Sequence, residues 1–409
     1  MRGRRVVAEN AGVDLERVVC LYPLEYLDDG DEVTVGRLDV DSYAVLPKDG
    51  AELVRRLAEG MTPREAADWY SGAYGESVDV GDLLDTLDEL GFIRSDARSA
   101  TESLSGETRS VRWQRLGRAL FSFPAWVCYG ALTVGAVVAM ARSPQLVPHY
   151  RNIFFTKSFT IVEVVLFFGQ FPLLLIHEAF HALAGRRRGI RSRLSIGRRL
   201  IYIVFETSLD GLVMIPRRRR VLPIMAGMLA DVVVLAVLTL SASVAIDDTG
   251  TPALFGRVCL ALAYTTLLRL SWQFYFYLRT DLYVLFATAL GCVDLHDVAK
   301  GVLRNAFRRS LGRPALDESS WHPTDRRVAR WYAWLMLAGY LGTIVVFLVA
   351  VLPTAYHLFS GVLSRFFGGA ATSGELLDSA VFVGLNLTQI LLVVLLAGRD
   401  RRRKTTTHK

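Results

Sequence analysis

The segment His177-Glu178-Ala179-Phe180-His181 carries two imidazoles and a carboxylate at a spacing suited to metal-assisted hydrolysis. Residues four apart share one face of an α-helix, so both histidines can meet the same ion. Glu178 is turned about 100° from His177, which lets it hold and activate a water without being a ligand. The spacing predicts a Zn²⁺ site with His177 and His181 as metal ligands and Glu178 as the catalytic residue.

The motif lies in a stretch that otherwise has the composition of a membrane span. Between Lys157 and Arg186 the motif's three side chains and Glu163 are the only ionisable ones. Ionisable groups are costly in hydrocarbon, so an intramembrane cluster of this kind indicates a functional site. The alternative is a pair of juxtamembrane histidines that hydrogen-bond to neighbouring helices.

The composition of the chain favours a polytopic membrane protein. Of 409 residues, 52% are hydrophobic, and the mean hydropathy of +0.32 is too high for an ordinary soluble protein. Six apolar stretches can each cross a hydrocarbon core of about 30 Å. The predicted fold is mainly α: a six-helix membrane domain over 117–400 with a small N-terminal α+β domain. The predicted spans are 119–141, 159–185, 221–246, 258–293, 331–356 and 379–398.

Charge is segregated along the chain in a way that predicts its membrane topology. Residues 1–100 hold 11 Lys and Arg against 22 Asp and Glu, whereas the remainder holds 36 against 18. The basic residues concentrate between the second and third spans, after the fourth, and in the tail 401–409. By the positive-inside rule, both termini are expected to be cytoplasmic, and the expected location is a bacterial plasma membrane. The arginine runs are then topology determinants, the alternative being phosphate binding.

An N-terminal segment (1–30) precedes a compact domain predicted over 31–96, and a linker follows at 97–116. Two short strands, three helices and a return strand give the layout of a winged helix. The second helix opens with a capping box, Thr62-Pro63-Arg64-Glu65. The predicted elements are strands at 33–35 and 43–46, helices at 51–59, 62–70 and 82–90, and the return strand at 92–93.

Winged helices commonly bind DNA, but the acidity of this domain argues against a nucleic-acid partner. Its third helix carries Asp82, Asp85, Asp88 and Glu89 and no basic residue, so phosphate would repel it. An extended peptide can instead add to the edge of a sheet. The domain is therefore expected to capture a peptide, the alternative being a purely structural or regulatory cap.

A hydrolytic zinc site needs a third protein ligand, and two acids lie deep enough to supply it. Asp231 is nearly halfway into the third span. Asp281 follows the fourth apolar stretch, and the uncharged residues after it predict that the fourth helix continues past it. Asp281 is the expected ligand, although it could instead be a counter-ion for Arg279. Asp231 could likewise pair with Arg269, the one base in the fourth apolar stretch.

Several of these features together resemble the site-2-protease family of intramembrane zinc metalloproteases. They are HEAFH within a span, a basic hairpin-like insert at 194–213, a third span opening with Ala226-Gly227, and the later Asp281. The resemblance implies that His177, His181 and Asp281 bind zinc. The family's Asn-x-x-Pro-x-x-x-Leu-Asp-Gly stretch is matched at Asp281, with Gln273 in the place of Asn. Asp231 and Gln273 are then candidates for binding the substrate.

The order Arg279-Thr280-Asp281-Leu282-Tyr283, followed by Asp294-Leu295, looks like the peptide zinc metalloprotease branch. The N-terminal domain resembles PqqD-like peptide-recognition elements, which grip leader peptides. Together these resemblances imply leader removal or maturation of a ribosomally made, modified peptide, with a peptide exporter or modification enzymes as partners besides membrane lipid. Two alternatives remain open: regulated cleavage of a single-span signalling protein, and a non-enzymatic membrane scaffold for peptide export.

Overall fold

The structure is a computed structural model, and it describes residues 15–30, 32–37, 39–94, 111–199, 202–247, 250–319, 321–369 and 371–407. Most of the predicted linker at 97–116 and half of the N-terminal segment at 1–30 lie outside these residues. The chain divides into two compact units, here called the front unit (residues 1–111 and 209–220) and the membrane unit (residues 112–208 and 221–409).

The front unit contains a three-stranded antiparallel sheet in the order β1-β2-β3. Val33 and Val35 of the central strand are almost completely buried, and Val35 pairs with Tyr26 on one side and Ala44 on the other. The two predicted strands are present, and β1 extends the sheet to before residue 31. The strands are β1 Glu25–Asp29, β2 Glu32–Arg37 and β3 Ser42–Pro47.

Among the described residues of the front unit, three helices share one core with this sheet: the first and third contribute leucines, and the second contributes Ala66 and Tyr70. The predicted capping box is confirmed: the Glu65 N–H donates to Thr62 Oγ1, and the Thr62 N–H donates to Glu65 Oε2 at 2.9 Å. Leu53, Leu57 and Leu84 form the fully buried centre of the core. The helices are α1 Lys48–Ala58, α2 Pro63–Tyr74 and α3 Val80–Glu89, and a bridge between Leu21 and Ile93 follows them.

Within the part of the chain that the structure describes, the membrane unit contains six helices long and apolar enough to cross a membrane, as the sequence predicts. Two of them, α7 (Arg217–Val244) and α8 (Leu254–Trp272), are more extensively buried than the other candidate spans. Small residues such as Ala226 and Ala230 of α7 are buried there, and residues of this size let helix backbones approach closely. The candidate spans are α5 Phe123–Arg142, α6 Phe159–Arg187, α7 Arg217–Val244, α8 Leu254–Trp272, the joined helices of Pro323–Phe367, and α13 from Ser373.

Shorter elements complete the membrane unit. A short helix, α4 (Gln114–Leu120), begins inside the predicted linker and approaches α6 at Gly117, where a Cβ would collide with backbone atoms of Leu183 and Arg187. The predicted hairpin between the second and third spans is present as β4 (Arg191–Arg199) and β5 (Tyr202–Asp210), which pair in a two-stranded sheet.

The prediction that one helix spans 258–293 is wrong. Helix α8 ends at Trp272, and a short 3-10 turn precedes α9 (Asp281–Leu290) and α10 (Leu295–Ser310), which are bent by 92° from each other. The break has a local cause, because the Thr280 hydroxyl donates to the Gln273 carbonyl at 2.7 Å and Arg279 adopts a left-handed φ of 54°. Hydropathy alone does not report such polar contacts within an apolar run.

The fifth span is longer than predicted. Helix α11 (Pro323–Val346) passes through a π-helical turn at Phe347–Val351 into α12 (Leu352–Phe367). Part of the segment expected to be a loop after residue 356 is therefore helical. Helix α13 (Ser373–Thr407) then runs into the basic tail.

Candidate metal centre

The two histidines of the motif lie on one face of α6, as their spacing predicts. His177 and His181 are 5% and 8% exposed. Their Nε2 atoms are 3.2 Å apart. Helix α6 therefore delivers two nitrogen donors to one buried point.

Asp281 brings a carboxylate oxygen to the same point from the other side of the helix break. Its Oδ2 lies 3.4 Å from His177 Nε2 and 3.2 Å from His181 Nε2. Among the described residues, these three side chains form the group of His, Cys, Asp and Glu that could hold a metal ion. Asp281 can reach the imidazoles because it is the first residue of α9 rather than a mid-helix residue.

Gln273 fixes the position of Asp281 through both ends of its amide. Its Nε2 donates to Asp281 Oδ2 at 3.1 Å, and its Oε1 accepts from the Asp281 backbone N–H at 3.1 Å. Gln273 is itself buried at the end of α8. The side chain expected to bind substrate thus contacts the predicted metal ligand.

The remaining ring nitrogens define the tautomers of the neutral imidazoles. His181 Nδ1 lies 2.8 Å from the Pro223 carbonyl, which can only accept a hydrogen bond. His177 Nδ1 lies 3.0 Å from Asp231 Oδ2, which places a carboxylate acceptor there as well. Each neutral ring therefore carries its proton on Nδ1 and directs the lone pair of Nε2 toward Asp281.

Gly227 of α7 provides the space in which the two rings meet. A Cβ at this position would lie 2.5 Å from His177 Nε2 and closer still to His181 Nε2. Any side chain here would thus occupy the region into which both nitrogens point. The close approach of α7 to α6 gives a steric reason for glycine at this position.

Asp231 lies on the opposite side of the His177 ring from Asp281. It is fully buried, and Arg269 of α8 donates to Asp231 Oδ1 through Nη2 at 2.6 Å. Arg269 Nη1 also donates to Gln170 Oε1 at 3.1 Å. Asp231 therefore takes part in the buried pair with Arg269 and also contacts His177.

Glu178 is buried beside the cluster without belonging to it. It is 8% exposed, and its Oε2 accepts from the Thr207 backbone N–H at 3.0 Å. The Thr207 hydroxyl donates to the Glu178 backbone carbonyl at 3.1 Å. Strand β5 thus lies against the carboxylate that the motif predicts to act on water.

The formal charges around the cluster are mainly negative. Three carboxylates, those of Glu178, Asp231 and Asp281, face one guanidinium, that of Arg269. The carboxylates therefore outnumber the guanidinium by two in a largely buried site. Burial of uncompensated charge is strongly unfavourable, and a cation held by these side chains would offset it.

The structure brings together His177, His181 and Asp281, the three residues predicted as ligands. Arg279, the alternative partner of Asp281, pairs instead with Asp297 at 2.7 Å. The contact of Gln170 with Arg269 and that of the Pro223 carbonyl with His181 were not predicted. Gln170, a polar residue in an apolar run of α6, gave a sequence signal for the first, whereas a backbone contact leaves none.

Comparisons with family models, with curated proteins and with solved structures gave no match for this chain.

Proposed function

We propose that this protein is an intramembrane zinc metalloprotease, with His177, His181 and Asp281 as zinc ligands. The observation that carries the proposal is the convergence of three donor atoms. Donors bound about 2.1 Å from one tetrahedral zinc ion lie about 3.4 Å from one another. The three distances between the donors are 3.2, 3.2 and 3.4 Å.

The surroundings of the cluster support a bound cation rather than a hydrogen-bonded histidine pair. Two Nε2 lone pairs and a carboxylate oxygen repel one another unless a positive charge lies between them. The excess of two negative formal charges matches the charge of Zn²⁺. The space that Gly227 leaves beside both nitrogens supports the same assignment.

The proposed reaction is hydrolysis of a peptide bond. Zinc would polarise the scissile carbonyl and make water a better nucleophile. Glu178 accepts one proton as the water oxygen bonds to the carbonyl carbon, and it delivers that proton to the amine nitrogen as the C–N bond breaks. Strand β5 would pair with an extended substrate, which gives Thr207 a place beside both Glu178 and the peptide.

The membrane setting of this activity is part of the proposal. Six candidate spans among the described residues support a multi-pass protein, and the basic segments between them support cytoplasmic termini. The proposed location is a bacterial plasma membrane. A membrane-embedded site restricts the substrate to peptides that enter the lipid phase or its interface.

The front unit is proposed to be a winged-helix, PqqD-like domain that captures the substrate peptide. Strands β1 and β3 form the two edges of its sheet, where an extended peptide can add. The acids of α3 support a peptide client rather than nucleic acid. The proposed substrate is a ribosomally made, modified peptide, and an exporter or the modification enzymes are the proposed partners.

The test is co-expression of candidate precursor peptides with wild-type protein and with Glu178→Gln, followed by mass spectrometry of the products. Glu178→Gln is expected to abolish cleavage while leaving the zinc content unchanged. Glu163→Gln is the matched control, since Glu163 lies in the same helix but hydrogen-bonds to Asn386 and Gln389. Normal cleavage by Glu178→Gln, or purified protein that binds no zinc, would refute the proposal.

Co-expression with a single-span signalling protein, and an export assay, distinguish the proposed function from its two alternatives. Cleavage of a single-span signalling protein, with no cleavage of precursor peptides, would replace the proposed substrate but retain the mechanism. Zinc-free protein that still supports peptide export would identify a scaffold.

A further inference from the structure

We propose that Asp231 is a positioning residue for the metal ligand His177, and that Arg269 and Gln170 hold Asp231 in place for this role. The proposal rests on the proposed function in one respect: the ion that His177 binds is taken to be zinc. Asp231 was predicted from the sequence as a candidate substrate contact, and the geometry points to a different role.

The side chains of His177, Asp231, Arg269 and Gln170 form a continuous hydrogen-bond network that links three helices. His177 of α6 donates from Nδ1 to Asp231 of α7, and Arg269 of α8 donates to the same carboxylate. Arg269 also donates to Gln170, which lies about two turns before His177 on α6. Both ends of the hydrogen-bond network, Gln170 and His177, therefore lie on α6, the helix that carries the two histidines.

Gln170 is oriented by its own contacts. Its Nε2 donates to the Leu262 carbonyl at 3.3 Å and to the Thr265 hydroxyl, so its Oε1 is directed toward Arg269. The neighbouring residue on α6, Gly169, packs closely on Leu262. A Cβ added at Gly169 would lie 2.7 Å from Leu262 Cδ2. The contact between α6 and α8 thus fixes the acceptor that orients the guanidinium.

Asp231 has no free surface for a substrate. Its exposed fraction is 0%, and both of its oxygens are already engaged. Arg269 Nε lies 3.2 and 3.3 Å from Oδ1 and Oδ2, and Oδ2 also accepts from His177. The carboxylate can therefore act only through the groups that it touches.

Its effect on His177 is both geometric and electronic. An acceptor on Nδ1–H keeps the proton away from Nε2, fixes the plane of the ring, and makes Nε2 a stronger donor to a cation. Arg269 offsets the charge of the carboxylate in an apolar surrounding, which a neutral amide partner would do less well. A carboxylate at this position thus serves the metal site, whereas a merely structural ion pair would affect only the stability of the bundle.

The experiment compares Asp231→Asn with the double variant Asp231→Asn/Arg269→Gln, using purified full-length protein. Zinc Kd is measured by competition with a chromophoric chelator, the Co²⁺ visible spectrum reports ligand geometry, and unfolding midpoints report stability. Asp231→Asn is expected to raise the zinc Kd about 10- to 100-fold, the range typical of such outer contacts, and to shift the cobalt spectrum. Asp231→Asn should also lower the unfolding midpoint, because it leaves the charge of Arg269 unpaired. The double variant removes that charge, so its midpoint should recover while its zinc Kd stays high.

The pair Asp378 and Arg365 provides the control, since it is another acid–arginine contact, at 2.8 Å, in the membrane unit. Asp378→Asn/Arg365→Gln should leave the zinc Kd and cobalt spectrum unchanged. A wild-type zinc Kd in Asp231→Asn, or recovery of zinc affinity in the double variant, would overturn the inference. Wild-type protein that binds zinc but cleaves no substrate would refute the proposed protease while the Asp231 effect stands. Wild-type protein that binds neither metal would overturn both.

Discussion

Replacing Gly227 with alanine adds one methyl group at the point where the two imidazoles meet. Its Cβ would lie 2.5 Å from His177 Nε2, whereas ordinary van der Waals contact begins at 3.4 Å. The ring nitrogen, helix α7, or both must therefore shift by about 0.9 Å. Metal sites tolerate about 0.2 Å of error in donor position, so the shift exceeds the tolerance several-fold.

The expected loss of zinc affinity is more than about 100-fold, which corresponds to about 2.8 kcal/mol of binding free energy. The effect on the stability of the metal-free protein should be smaller. Overpacking costs about 1–3 kcal/mol, and exchanging glycine for alanine within a helix returns about 1 kcal/mol. Gly227→Ala is thus expected to fold and to lose the metal.

The assay is chelator competition for zinc Kd on detergent-purified protein, with an unfolding midpoint measured on the metal-free form. Gly130→Ala in α5 is the control, since a Cβ there meets nothing within 4 Å and the gain in helix propensity is the same. If Gly227→Ala binds zinc as tightly as wild type, the two nitrogens do not converge beside α7 and the proposed ligand set is wrong.

Three further substitutions test the remaining contacts. Asp281→Ala should raise the zinc Kd more than about 100-fold. Asp297→Ala is the control, since it removes an exposed partner of Arg279 and should leave the zinc Kd unchanged. Equal effects of the two substitutions would exclude Asp281 as a ligand. Gln273→Leu should raise the zinc Kd about tenfold because Asp281 loses two hydrogen bonds, and an unchanged Kd in a chelator titration would contradict that role. Thr207→Pro removes the N–H that holds Glu178, so it should lower kcat without changing zinc content, and normal turnover would show that β5 does not position the carboxylate.

The sequence was sufficient to predict the part of the site that depends on local geometry. His177 and His181 share a face because of helical periodicity alone, and hydropathy placed them in one of six spans. The hairpin between the second and third spans was predicted from its run of β-branched and aromatic residues, and the capping box at Thr62 from its four-residue pattern.

The sequence did not reveal how Asp281 reaches the histidines. An apolar run on either side of it suggested one continuous helix, because hydropathy measures burial and not backbone direction. The break depends on two polar contacts: the Gln273 side-chain amide accepts from the Asp281 backbone N–H, and the Thr280 hydroxyl donates to the Gln273 carbonyl at the end of α8. A threonine directly before an acid is a common helix start, and it was the available signal for α9. Strand β1 was not predicted because three of its five residues are acids. Their charge conceals the alternation of exposed and partly buried residues that begins with Leu24 and Tyr26.

The separation of the ligands along the chain has a consequence for biogenesis. Two donors lie in α6, and the third is made only after the hairpin, α7 and α8 have been synthesised. A ribosome-bound chain that ends at Trp272 already contains His177, Glu178 and His181 but lacks Asp281, the third residue of the proposed zinc site. Under the proposed function, the partial chain could not yet hydrolyse peptides, and activity would arise only after four of the six candidate spans among the described residues have been synthesised.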